Sequence, residues 1–132
     1  MASLAPMTTH RESLELVAEV TERLKSHSIQ VYKWPQVRTI YRVCEPFVAE
    51  DRVGVEWFVD ARLDSGEAIS WNLLFYSTST GWTVEGSISR VDSHGSSPLV
   101  TLPTRTATDA NLDSELFGML SELVNHDVLG SL

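Results

Sequence analysis

The chain has 132 residues, 42% of them apolar and 21% charged, a composition that excludes an intrinsically disordered protein. A chain of this length buries enough surface to fold without disulfide or metal, and its single cysteine, Cys44, excludes a disulfide-stapled secreted scaffold. Ten Lys and Arg against eighteen Asp and Glu give a net charge of −8, which disfavours direct binding of nucleic acid.

Residues 1–8 read as a flexible tail, and 9–132 as a single α+β domain. Thr9 followed by Glu12 matches a capping box at a helix start. Beyond it Leu14, Val17, Val20 and Leu24 recur at helical spacing, with Glu12, Glu15, Glu19 and Glu22 on the opposite side of the wheel. Glu19 and Arg23 form an i,i+4 pair in the favourable orientation. The helix is expected to end near Ser26.

Residues 29–34 read as a short strand stopped by Pro35, and 37–44 as a better one, ended by Glu45-Pro46. Three runs of strict alternation then occupy 52–91. The first sets Val53, Val55, Trp57 and Val59 against Arg52, Glu56, Phe58 and Asp60. The second sets Ile69, Trp71, Leu73 and Phe75 against Ser70, Asn72, Leu74 and Tyr76, and the third sets Trp82, Val84 and Ile88 against Thr83, Glu85, Ser87 and Ser89. Period-2 patterning of this kind marks a half-buried antiparallel sheet. Asp64-Ser65-Gly66 and residues 77–81 are short turns, so the runs form a meander.

Residues 92–98 (Asp-Ser-His-Gly-Ser-Ser-Pro) read as the most loop-like and mobile stretch, and 99–102 as a short strand near an edge. Thr108 and Asp109 open a second helix whose apolar positions are Leu112, Leu116, Leu120, Leu123 and Val124, with Gly130 as a terminator. Gly118 costs that helix about 1 kcal/mol against alanine, so solvent or a close neighbour is expected there. The fold class is therefore α+β: an antiparallel meander of four to five strands with an N-terminal and a C-terminal helix on one face. Trp57, Trp71 and Trp82 then meet the helix leucines. The helix–sheet–helix layout is loosely similar to type III secretion chaperones. Those carry a helix between their third and fourth strands, where this chain has the tight turn at 77–81.

Reactive side chains are few. None of His10, His27, His94 and His126 stands in a metal-ligand spacing with another histidine or with Cys44, so no metal and no cofactor is expected. His94 has Asp92, Ser93, Ser96 and Ser97 as neighbours, but a flexible loop holds a nucleophile and its base poorly. Glu56, Asp60 and Glu85 share one sheet face, where Arg52 and Arg62 are available to pair with them. The patterning leaves no glycine-rich phosphate loop and more readily suits a protein that is not an enzyme.

Two functions follow. The first is a small acidic, non-catalytic interaction protein, an inhibitor, adaptor or chaperone-like subunit, contacting another protein, for which a basic one suits the charge. It would bind through the charged sheet face, built from Glu56, Phe58, Asp60, Asn72, Leu74, Tyr76 and Glu85, or through the acidic C-terminal half. Residues 63–132 hold only Arg90 and Arg105 against nine acids. Sheet-to-sheet homodimerisation is the simplest use of such a face. The second is a ligand-binding or enzymatic domain with a pocket formed by Trp57, Trp71, Trp82 and His94. Residues 1–10 lack the pattern of a secretory signal, and no apolar run reaches the ~18 residues of a membrane span, so a cytoplasmic protein off the membrane is expected.

Overall fold

The computed structural model describes residues 10–25, 35–49 and 52–126, with side chains from residue 14 onward. The expected tail, the capping box at Thr9, the strand at 29–34 with Trp34, and Gly130 lie outside the described residues. In chain order the elements are α1 (His10–Lys25), β1 (Val37–Ala49), β2 (Arg52–Leu63), β3 (Ala68–Thr78), β4 (Gly81–Asp92), β5 (Gly95–Thr101), β6 (Arg105–Ala107) and α2 (Leu112–Asn125). The strands form one antiparallel sheet in the order β1-β2-β3-β4-β5, and β6 pairs with β4 alongside β5. This is the α+β meander that the alternation implies, with one strand more.

The register aligns the apolar sides of the three alternating runs. Val59 of β2 stands opposite Trp71 of β3, which stands opposite Ile88 of β4, and Val55, Phe75 and Val84 form a parallel row. Both helices cover this side. Val17, Val20 and Leu24 of α1 and Leu112, Leu116, Met119, Leu120 and Leu123 of α2 join the strand residues in one buried cluster. Trp57, Trp71 and Trp82 lie within it, each at most 3% exposed. Burying a side chain of this kind stabilises the fold by roughly 1.5–3 kcal/mol or more, so the indoles and leucines dominate folding. Leu14, counted in the α1 stripe, sits at its rim and is 36% exposed.

Close approaches fix where each helix sits. The Cys44 thiol of β1 donates to the Thr21 carbonyl of α1 at 3.7 Å. A Cβ on Gly86 of β4 would come within 2.8 Å of Met119 Sδ, so α2 rests on the bare backbone there. The indole Nε1 of Trp82 donates to Asp109 Oδ1 at 2.7 Å and pins the entry to α2. Gly118 has the close neighbour that its position requires, the Arg105 guanidinium, 2.9 Å from where a Cβ would stand. Arg23 of α1 reaches the Asp113 carboxylate of α2 through both terminal nitrogens and ties the two helices together.

Three boundaries differ from expectation. β1 does not end at Glu45-Pro46 but continues to Ala49, with Pro46 opposite Val55. β1 ends the strand order, and a proline without N–H is tolerated where that side of the strand needs no ladder bond. Residues 92–98 are mostly exposed and polar as expected, but looped only at their tip. They form a hairpin in which Asp92 faces Gly95 and Val91 faces Ser96, closed by Ser93-His94 with Gly95 at φ +123°. The His94 amide donates to Asp92 Oδ1 at 2.8 Å, so the Ser/Gly-rich composition serves turn chemistry. The second helix begins at Leu112, after a turn in which Asn111 Oδ1 accepts from the Thr108 amide at 2.7 Å.

Candidate functional site

The side of the sheet opposite the helices is built from the other half of each alternating pattern. Four transverse rows cross it. Phe47, Gly54, Tyr76 and Thr83 form the first, and Glu45, Glu56, Leu74 and Glu85 the second. Val43, Phe58, Asn72 and Ser87 form the third, and Tyr41, Asp60, Ser70 and Ser89 the fourth. All seven expected binding residues, Glu56, Phe58, Asp60, Asn72, Leu74, Tyr76 and Glu85, therefore share this one face. Most of its side chains are half-buried by their neighbours, whereas Tyr41 is 58% exposed.

Aromatic and apolar groups flank the acidic row. Phe47 lies across Gly54, where a Cβ would come within 2.9 Å of its ring. Tyr41 and Phe58 meet edge to face at 6.1 Å, an arrangement that the ring quadrupoles favour. The Tyr76 hydroxyl donates to Glu85 Oε2 at 2.8 Å, and the Arg52 guanidinium lies 4.6 Å from the centre of the Tyr76 ring. That hydrogen bond, then burial and the Glu85 charge, hold the phenol above its ordinary pKa, with Arg52 opposing.

The arginines expected to neutralise the sheet acids do not do so. Arg52 stacks on Tyr76, and Arg62 donates to the Gly66 carbonyl at 3.0 Å. Among the described residues no ion pair engages Glu45, Glu56, Asp60 or Glu85. Asp60 Oδ1 is buried and, among the described residues, accepts no hydrogen bond. The acids of the C-terminal half are differently placed. Asp113 of α2 pairs with Arg23, Glu115 and Glu122 pair with Arg105 at 3.9 and 2.9 Å, and Glu67 pairs with Arg90. The two acidic surfaces that the sequence leaves equivalent thus differ: four of the nine acids of residues 63–132 are ion-paired among the described residues, whereas Glu45, Glu56 and Asp60 of the sheet face are not.

Two depressions open on this face. One of about 390 Å³ is lined by Glu56, Leu74, Glu85 and Ser87 and bounded by Thr101 and Leu102 near β5. The other, about 310 Å³, is lined by Glu45, Pro46, Phe47, Glu56 and Leu74. They share Glu56 and Leu74 at their border and together make an interrupted groove along the acidic row. Glu45 and Phe47 escape a reading of the sequence that stops the strand at Pro46. The alternation Tyr41, Val43, Glu45, Phe47 is the signal that finds them.

The tryptophan pocket does not come together in this way. Trp57, Trp71 and Trp82 are buried beneath the helices, whereas His94 is exposed at the tip of the β4–β5 hairpin. Trp82 begins β4 and His94 follows its far end, roughly 30 Å away at 3.3 Å per strand residue. His126, beyond the last turn of α2, is also exposed. Among the described residues no three His, Cys, Asp or Glu side chains gather into a group that could hold a metal ion, and no helix is long and apolar enough to cross a membrane. No protein-family model, curated protein or solved structure matches the chain.

Proposed function

We propose that this chain is a non-catalytic protein-interaction module, an inhibitor, adaptor or chaperone-like subunit, whose partner docks on the open face of the sheet. One observation carries the reading. Phe47, Phe58, Leu74 and Tyr76 share a grooved face with carboxylates that the chain's own bases leave unpaired among the described residues. Aromatic anchors among charged groups are the composition of a protein interface. The ion pairs that engage Asp113, Glu115 and Glu122 make α2 the weaker of the two candidate surfaces. Cys44, a free and half-buried thiol, is consistent with work in a reducing cytoplasm.

The test is capture from extract of the source cells on the immobilised protein and on a Phe58→Ser/Leu74→Ser variant. Both residues lie outside the buried cluster, and an unchanged circular-dichroism spectrum verifies that the variant is folded before capture. A protein retained by the wild type and lost from the variant supports the proposal. Equal retention by both, or a small molecule that accompanies the protein through purification, refutes it.

A further inference from the structure

We infer that the occupant of the groove is a basic segment of another protein, presenting two cationic side chains about 10 Å apart on either side of an apolar one. The inference rests on the docking face proposed above and specifies the chemistry of the partner. Glu56 on β2 and Glu85 on β4 belong to one row and are separated by Leu74 on β3. Neighbouring strands lie about 4.8 Å apart, which sets the backbones of the two glutamates roughly 9.5 Å apart with an apolar residue midway. Glu45 extends the row one strand further, and the two depressions follow it.

The face already holds one guanidinium on an aromatic ring. Arg52 lies over the Tyr76 ring, and the Tyr76 hydroxyl is bonded to Glu85, so an aromatic face that takes a guanidinium stands beside the acidic row. Phe58 and Tyr41 offer a second aromatic edge on the other side of the acidic row. A partner's arginine or lysine would complete a charge arrangement that Arg52 and Arg62, engaged elsewhere, leave open. A second copy of the chain is a poorer occupant, because face-to-face pairing sets one acidic row against another. A phosphate backbone is repelled outright.

The probe is a fluorescein-labelled peptide carrying Arg-Ala-Leu-Ala-Arg, whose two arginines and leucine share one face of an extended chain, against the same peptide with both arginines replaced by glutamine. Binding is read by fluorescence anisotropy, and its location by amide shifts in ¹⁵N–¹H spectra. The arginine peptide is expected to shift amides of β1–β4 around Glu45, Glu56, Leu74 and Glu85. Its affinity should fall roughly tenfold for the Glu56→Gln/Glu85→Gln variant and again as salt rises. Three outcomes overturn the inference: equal binding of the glutamine peptide, shifts centred on Asp113, Glu115 and Glu122, or peptide-independent self-association through the face in sedimentation. If the basic peptide fails while Phe58→Ser/Leu74→Ser still abolishes capture of a protein, the docking face stands and only the charge of its partner is refuted.

Discussion

Glu45 of β1 and Glu56 of β2 stand directly opposite each other on the open face, two like charges in one cross-strand pair. Such a pair destabilises a sheet, and among the described residues neither carboxylate has an ion-pair partner to relieve it. The arrangement makes sense for a surface kept for binding at some cost to stability.

Glu45→Lys should therefore stabilise the fold by about 0.5–1 kcal/mol, because an opposite-charge pair replaces a repulsive one. Urea denaturation measures this. The gain should shrink at high salt, since both side chains lie on the surface. Binding of the arginine peptide should weaken in the same variant.

Gly86 is the point where α2 touches β4 with nothing between. Gly86→Val should cost about 1–3 kcal/mol by overpacking against Met119 and Leu123. Because the nearest atom is the flexible Met119 thioether, adding Met119→Ala should cost less in the Gly86→Val background than alone. Strict additivity in the thermal or urea midpoints would show that α2 does not sit over Gly86.

Tyr76 should hold its proton above the ordinary phenol range, first through its hydrogen bond to Glu85, then through burial. A folded pKa raised above the unfolded one contributes stability that is complete below about pH 10. That contribution is lost as pH rises through the folded value. Phenolate ultraviolet absorbance, taken as the difference between the chain and Tyr76→Phe, gives the titration. In Glu85→Ala it should move down toward the ordinary range; no movement would mean that the hydrogen bond does not set the pKa.

Burial pushes the Cys44 thiol up from its ordinary pKa, and its Sγ–H is directed at the Thr21 carbonyl. Since the thiolate is the reactive form, Cys44 should react with a disulfide reagent more slowly than a free thiol at neutral pH. Leu24→Ala, which opens the underside of α1, should accelerate the reaction. A rate equal to that of the denatured chain would place Cys44 in solvent.

Much of this molecule is legible in one dimension. Period-2 alternation determined which side of 52–91 faces the helices, because a slip of one residue would turn Trp57, Trp71 and Trp82 out to water. The same argument placed Glu56, Phe58, Leu74, Tyr76 and Glu85 on one opposing face. Local chemistry also sufficed at Asp64-Ser65-Gly66, where Gly66 takes φ +92°, whereas the helix cost of Gly118 left solvent and a close neighbour open until Arg105 was placed beside it.

What the chain could not show in one dimension is how distant segments dispose of their polar groups. Pro46 reads as a stop until the strand's place at one end of the order is known, and 92–98 reads as a loop until β4 supplies a ladder. The fate of each carboxylate was likewise decided in three dimensions. Arg23 meets Asp113 across ninety residues and Arg105 meets the acids of α2, while Arg52 turns to an aromatic ring and forms no ion pair with Glu56 or Glu85 among the described residues. Side-chain periodicity follows from backbone geometry and is written in the sequence, whereas charge pairing depends on which surfaces the fold brings together.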